Sequence, residues 1–286
     1  MLFLLHQVIA IATIVHVVMA NKQPSKTMAW ALIIYFFPYI GFLAYVFFGV
    51  DTRRERLVSR RSMDQLTRRS MLGFAKQTEL YLPEAEENSQ LIGLFARQNM
   101  ALPFSSSKIE LITDGHDFIL SLLSDIAKAT SHIHIDLYIF SSDALGRLVG
   151  DALMEKSRQG VEVRIVYDDV GCWGVKRDFY ENLRSAGIEV EAFLPVHFPN
   201  FTSKANYRNH RKIIVIDGIV GYIGGMNIAQ RYVSGLSKGG DEPVYWRDTM
   251  LRLSGKGVYT LQQAFLIDWY FVDRTLLANR KYYPEM

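Results

Sequence analysis

The sequence predicts an α/β domain with a mostly parallel sheet flanked by helices, preceded by two transmembrane helices. Three observations predict it. Two uncharged apolar runs, Leu2 to Ala20 and Met28 to Val50, lie at the N-terminus. Strand-like and helix-like segments then alternate from Ile109 to Phe193, the pattern of a layered sheet with crossover helices. A single cysteine, 49% hydrophobic and 21% charged residues exclude a disulfide scaffold, a multi-cysteine metal site and a disordered chain. The formal net charge of +3 is too mild for a protein that mainly coats nucleic acid.

Each apolar run is close to the roughly 20 residues that a spanning helix needs. The connector Asn21-Lys22-Gln23-Pro24-Ser25-Lys26 is short, so residues 1–50 read as a two-helix transmembrane hairpin. Trp30, Tyr35 and Tyr45 sit near the ends of the second run, where an interfacial aromatic belt lies. Pro38 marks a kink within it. Arg53, Arg54, Arg56, Arg60 and Arg61 follow the second run. The positive-inside rule places these residues, and everything after them, in the cytoplasm. The same arginines suit anionic lipid headgroups. Val18-Met19-Ala20 resembles a signal-peptide cleavage site, but no basic region precedes the first run and a second run follows at once. The expected location is therefore a membrane, multi-pass, with the remaining domain on the cytoplasmic side.

Residues 51–102 are charged and helix-prone and read as a juxtamembrane linker, with a short helix around Leu91 to Ala96. The domain at 103–286 follows. Ile109 to Ile112 reads as a strand. Asp117 to Thr130 carries Phe118, Leu122, Ile126 and Ala129 at helical spacing. His132 to Phe140 is a strand, Ala144 to Gln159 a helix, and Val161 to Tyr167 a buried-type strand ending in Asp168-Asp169. Asp178 to Ala186 is a helix stopped by Gly187, and Ile188 to Phe193 another strand. Lys212 to Ile216 and Ile219 to Ile223 form a hairpin, because Asp217-Gly218 is a strong two-residue turn.

The chemistry concentrates in this hairpin. His210 and Lys212 are two residues apart and so share a side of the sheet. Gly224-Gly225-Met226-Asn227 leads into Ile228 to Arg231, which reads as a helix start. Glycines there admit close approach of an anion to backbone N–H groups, and a helix N-terminus favours negative charge. Imidazole attacks phosphorus, an ammonium neutralises the non-bridging oxygens, and an amide donates to another. These residues together suit phosphate chemistry. Bland readings stand beside this one: a His–Lys pair as a solvated strand end, and Asp217 as an ordinary turn residue. His132 and His134 share a strand face but have no further ligand at metal spacing, so no metal is expected. Asp168-Asp169 at a strand end fits a metal-binding or site-polarising role, or a loop cap. Cys172 has no partner in sequence, and Trp246 reads as core or membrane-facing packing.

His210, Lys212, Asp217, Gly224, Gly225 and Asn227 fit the H-x-K-x4-D-x6-G-[GS]-x-N pattern without a spacing departure. The segment resembles the phospholipase D superfamily, and more specifically the bacterial cardiolipin synthases. Further residues carry that resemblance: Ala29-Trp30 with Pro38, Gly41, Tyr45 and Gly49; Tyr138-Ile139-Phe140 with Asp143 and Gly146; Tyr207-Arg208-Asn209-His210-Arg211-Lys212; Trp246-Arg247-Asp248; and Phe265 with Asp268-Trp269. The resemblance implies a phospholipase D-like fold. It implies a membrane-bound phosphatidyltransferase that makes cardiolipin from two phosphatidylglycerol molecules, releasing glycerol through a phosphohistidine intermediate and using no cofactor. His210, Lys212 and Asp217 would be the catalytic set, with His210 the nucleophile or general acid/base and Asp217 orienting the site. Asn227, Gly224 and Gly225 would hold the substrate phosphate. Phosphatidylglycerol and other anionic phospholipids would be its partners, and no nucleic acid.

The resemblance also implies a second motif. None of His6, His16, His116, His132, His134 or His197 is followed by Lys at the second position. The chain stops soon after Trp269, about where a first half would end. The expectation is a truncated first half whose partner is a second motif-bearing half, or a homodimer building one site from two copies of His210. Other readings are a phosphodiesterase, lipid hydrolase or nuclease, acting as a homodimer, or an inactive half.

Overall fold

A computed structural model describes residues 2–20, 24–45, 88–99, 104, 107–196, 208–233 and 246–286. The basic stretch Arg53 to Arg61, most of the 51–102 linker, the connector residues 21–23, Gly49, His197 and Tyr207 lie outside the described residues. The chain divides into two compact units, residues 1–57 with 194–208 and residues 58–193 with 209–286.

In the first unit, α1 (Leu2–Ala20) packs along α2 (Pro24–Phe36). Val17, Ile34 and Tyr45 are buried there, with Ile14 and Trp30 against them. Its outer surface is apolar instead of polar: Val15, Met19, Leu32, Phe36, Tyr39 and Ile40 are all more than half exposed. The second apolar run is not one helix. It breaks at Phe37 and resumes as α3 (Pro38–Ala44) with Pro38 in its first turn, where proline is tolerated although it cannot continue the preceding hydrogen-bond ladder. Among the described residues no helix is long and apolar enough to cross a membrane.

The second unit begins with α4 (Ser89–Asn99), and its core is a sheet of seven strands. These are β1 (Lys108–Ile112), β2 (His132–Leu137), β3 (Glu162–Asp168), β4 (Glu189–Phe193), β5 (Lys212–Ile216), β6 (Val220–Gly224) and β7 (Met250–Ser254). Their spatial order is β1-β7-β6-β5-β2-β3-β4. The expectation of a mostly parallel sheet is corrected here. Only β2–β3 and β3–β4 pair in parallel. β2–β5, β5–β6, β6–β7 and β1–β7 are antiparallel. The crossover helices α6 (Ala144–Arg158) and α7 (Arg177–Ser185) return the chain for parallel pairing as far as β4. β5 then re-enters beside β2 from the opposite direction, and the Asp217-Gly218 turn forces β6 antiparallel to it. Both turn residues have positive φ, 54° and 67°, and the Ile219 N–H donates to the Ile216 carbonyl at 3.0 Å. This is the geometry that Asp-Gly favours.

Helix α5 (Gly115–Lys128) starts at Asp114, whose carboxylate accepts from the His116 and Asp117 N–H groups, a standard N-cap. It packs with α6 and α7 on one sheet face. Ile133, Ile135 and Leu137 of β2 join Val163 and Ile165 of β3 in that core. α8 (Val258–Asp273) covers the other face with Phe265, Leu266 and Trp269. Burying each such large apolar side chain contributes about 1.5–3 kcal/mol. β2 is buried on both faces, but only its odd positions are apolar. His132, His134 and Asp136 point to the α8 side, so that interface must satisfy three polar groups.

Candidate active site

The site lies at the C-terminal ends of the parallel strands β2 and β3, where α/β sheets place function, and at the adjoining start of β5. Asn209 is buried there and ties three strands together. Its N–H donates to Asp168 Oδ2 at 3.0 Å, and its Nδ2 donates to Asp136 Oδ1 and Oδ2 at 2.9 and 3.0 Å. The Arg211 N–H donates to Asn209 Oδ1 at 3.2 Å, and the Arg211 guanidinium pairs with Asp268 of α8. Burial, and next the neighbouring Asp268, push the Asp136 carboxyl well above the usual carboxylate range. Asp168 also caps the loop after β3, accepting from the Val170 and Gly171 N–H groups at 3.0 and 2.9 Å.

Between the two clamped residues, His210 faces outward and is exposed. Its ring rests on Tyr138, with centroids 4.6 Å apart. Lys212 is 3% exposed. Its Nζ donates to the His210 carbonyl at 2.8 Å and lies 5.2 Å from the Tyr138 ring centroid. Burial lowers the Lys212 pKa, and the nearby carboxylates of Asp248, Asp136 and Asp168 oppose that shift. An ammonium has three donors, so the bond to His210 leaves capacity for an anion. The chemistry available is an exposed imidazole beside a held ammonium.

Only part of the predicted set converges here. Gly225 reaches the site through Asp248: a Cβ at Gly225 would stand 1.8 Å from Asp248 Oδ1. Its N–H is engaged by the Thr249 carbonyl at 2.8 Å, so it does not cradle an anion. A Cβ at Gly224 would meet the Thr249 carbonyl at 2.3 Å, and β6 and β7 could then not pair so closely. Asn227 is 1% exposed. Its Oδ1 accepts from the Ile139 N–H at 2.9 Å and its Nδ2 donates to the Tyr232 hydroxyl at 2.6 Å. The helix expected from Ile228 is a three-residue 3-10 turn, Gln230–Tyr232, preceded by extended Ala229. The Phe140–Ile228 bridge holds the backbone extended, so the expected helix start does not form there.

Asp217 is not brought to this group. It lies beyond the far end of β5, about 17 Å along the strand from Lys212 at roughly 3.4 Å per residue. Its carboxylate accepts from the N–H groups of Thr130, Ser131 and His132 at 2.8, 2.8 and 2.9 Å, and from the Thr130 hydroxyl at 3.0 Å.

Gly225 offers a direct check on the Asp248 contact. Gly225→Ala is expected to destabilise the domain by about 2 kcal/mol, because a backbone-bound carboxylate must move. Thermal melting measures it. An unchanged midpoint would mean that Asp248 does not occupy that space.

Residues 122–238 match the family described as "Cardiolipin synthase, PLD-like domain", and residues 8–49 match "Phospholipase D-nuclease N-terminal". A cardiolipin synthase of Alkalihalophilus pseudofirmus is 38% identical over 264 residues, covering 92% of this chain and 52% of that protein. The chain belongs to the phospholipase D-like family. The major cardiolipin synthase ClsA of Bacillus subtilis is 36% identical over 261 residues, covering 87% of this chain and 52% of that protein. The chain thus spans about half the length of these curated relatives. Among solved structures, NucT from Helicobacter pylori aligns over 58% of this chain and 98% of that chain, with 17% identity and a TM-score of 0.46.

Sequence reasoning on this phospholipase D-like chain reads Asp168 as a loop cap or polar strand-end residue, and the bonds it accepts from the Val170, Gly171 and Asn209 N–H groups bear that out. It sets Asp268 beside Trp269, but it gives Asp136 no role and does not join the three. Asp136, Asp168 and Asp268 are far apart in sequence, and only the assembled sheet brings them behind Asn209 and Arg211. Asp248 was legible as part of Trp246-Arg247-Asp248 but not as the neighbour of Gly225. Cys172 is buried, and burial pushes its thiol up to about 11, which leaves it unreactive at neutral pH. No group of three or more metal-type ligands occurs among the described residues.

His132 and His134 belong to the core. The His132 Nε2 shares a hydrogen bond with Gln262 Oε1 at 3.0 Å, and Gln262 Nε2 shares one with His134 Nδ1 at 2.8 Å. His134 Nε2 is 3.7 Å from Glu162. Burial drives the His134 pKa down to about 3. The imidazole is neutral in the fold, while in the unfolded chain it titrates near 6.5. The unfolded state therefore binds the extra proton between those values, and stability falls as pH drops through 6.5 toward 3. Melting temperature is expected to fall between pH 7.5 and about 5. His134→Gln should flatten that slope. An identical slope in the variant would locate the effect elsewhere.

Proposed function

We propose that this chain supplies one half of a membrane-bound phosphatidyltransferase that makes cardiolipin. The observation that carries the reading is the exposed His210 ring beside the buried Lys212 ammonium, in a chain whose curated relatives are named cardiolipin synthase. A His210 ring nitrogen attacks the phosphorus of phosphatidylglycerol. The bond from phosphorus to the glycerol headgroup oxygen breaks, and that oxygen leaves with a proton supplied by a second imidazole. The primary hydroxyl of a second phosphatidylglycerol then gives its proton to that imidazole and attacks phosphorus. The P–N bond breaks, cardiolipin leaves, and His210 is free again. Lys212 offsets the charge on the non-bridging oxygens as each transition state forms.

The remaining motif residues take supporting roles in this reading. Asn227 positions Ile139 and Tyr232 beneath the site, Gly224 and Gly225 admit the β7 backbone and Asp248, and Asp217 holds the start of β2. Neither metal nor organic cofactor takes part. The second imidazole comes from a second motif-bearing half or from a second copy of this chain. The apolar outer surface of α1, α2 and α3 supports reading residues 1–50 as a hairpin held in the bilayer. The linker at 51–102 and the domain at 103–286 then lie on the cytoplasmic face of the bacterial inner membrane, with the arginines at 53–61 as the positive-inside signal.

The assembly purified in detergent with phosphatidylglycerol should yield cardiolipin and glycerol in equal amounts. Lys212→Ala should lower that rate about 100-fold or more, the scale of losing one electrostatic contact to a transition state. Phosphatidic acid with glycerol, in place of cardiolipin, would make the enzyme a hydrolase. Robust turnover by a strict monomer carrying one His–Lys pair would contradict the two-motif mechanism.

A further inference from the structure

We propose that Trp173 and Trp246 form a rim beside His210 that docks the domain on an anionic bilayer surface. Trp173 is 67% exposed and Trp246 45% exposed, unusual for residues that normally bury most of their area. Each is linked to the site through its neighbours. Trp173 follows the tight loop that caps β3. In that loop, Gly171 approaches Tyr138 so closely that a Cβ would meet the Tyr138 carbonyl at 2.2 Å and its ring at 2.9 Å. Tyr138 is the ring on which His210 rests. Trp246 packs edge-on against Tyr232, with centroids 5.3 Å apart, and Tyr232 receives the Asn227 hydrogen bond.

The surroundings fix the kind of partner. Lys176 and Arg177 are exposed just after Trp173, and Arg247 is exposed beside Trp246. Arg231 is exposed with its guanidinium 5.6 Å from the Tyr232 ring centroid. Asp178 and Glu181 are the exposed acids near the first pair, and the half-buried Asp248 carboxylate is engaged by the Thr249 N–H. Aromatic rings with a polar edge, flanked by cations, match the headgroup layer of an anionic membrane. A phosphodiester in that layer then meets His210 without leaving the bilayer. The inference rests on the phosphatidyl-transfer reading for its substrate, but its readout is independent of turnover.

The test uses the full chain in nanodiscs of equimolar phosphatidylglycerol and phosphatidylcholine. Trp173→Cys and Trp246→Cys are each labelled with an environment-sensitive fluorophore, while buried Cys172 stays unlabelled. Arg158→Cys is the control, on an exposed side chain at the end of α6 away from His210. Lys176→Cys serves as a second rim position if loss of the Tyr232 contact unfolds the Trp246 variant. Headgroup-nitroxide lipid is expected to quench the rim labels and to leave the position-158 label unchanged. Quenching should weaken in discs of phosphatidylcholine alone. Equal quenching at all positions, or none at the rim, overturns the proposal. Rim labels already shielded in lipid-free detergent would mean that a second copy of the chain covers them, which also overturns it. Rim quenching without cardiolipin formation by an assembly that carries two His–Lys pairs leaves the docking surface and removes the phosphatidyl-transfer reading. Turnover without quenching does the reverse.

Discussion

Replacing His210 with alanine is expected to lower phosphatidyl transfer by at least about 10^4-fold, the scale of losing a covalent nucleophile. The fold should not suffer. The His210 side chain is exposed, and the loop around it is held by Asn209 and Arg211 through Asp136, Asp168 and Asp268. Thermal melting of His210→Ala should therefore match wild type while product formation disappears. His210→Gln should be equally inactive, since an amide is no nucleophile at neutral pH. Equal cardiolipin production by wild type and His210→Ala would remove His210 from the mechanism.

Asp217→Ala is expected to show the opposite pattern, a large loss of stability. Asp217 accepts three backbone N–H groups and one hydroxyl at the start of β2. Its removal leaves those donors without their charged acceptor, at a cost of about 3–4 kcal/mol. The melting midpoint should drop by roughly 10 °C, with activity per folded molecule largely kept. Burial raises the Asp217 pKa, but the hydrogen bonds from His132, Ser131 and Thr130 outweigh it, and the net shift is downward. A carboxylate stabilised in the fold contributes fully above its unfolded pKa of about 4, and loses that contribution as pH falls through its lower folded value. Asp217→Asn should flatten the acid limb of the stability curve. A variant that melts like wild type but has lost turnover would return Asp217 to the chemistry.

These two variants separate what the motif joins. Six residues lie within eighteen positions of sequence and read naturally as one site. β5 separates them, because an extended strand carries Asp217 to the opposite end of the strand from His210. The same distinction applies to the fold. Local signals were legible: β5 has the bounds its composition predicts, the Asp-Gly turn forms, and α6 begins at Ala144 with Asp143 capping it. Strand direction was not, since alternation of strands and helices governs only the run through β4. β1 pairs with β7 across more than a hundred residues, a contact with no local signature. The acid cluster behind His210 was hidden for the same reason. His132 and His134 read as a pair on one strand face, and α8 makes that face, with Asp136, a buried network.

The central claim is that His210 carries the phosphatidyl group between donor and acceptor. An assembly with two His–Lys pairs, incubated with phosphate-labelled phosphatidylglycerol and quenched in base, should carry label on the peptide containing His210. A phosphoramidate survives base and is released by acid, and His210→Ala should abolish it. Label on another residue, or cardiolipin formed with no labelled intermediate at His210, would contradict the account.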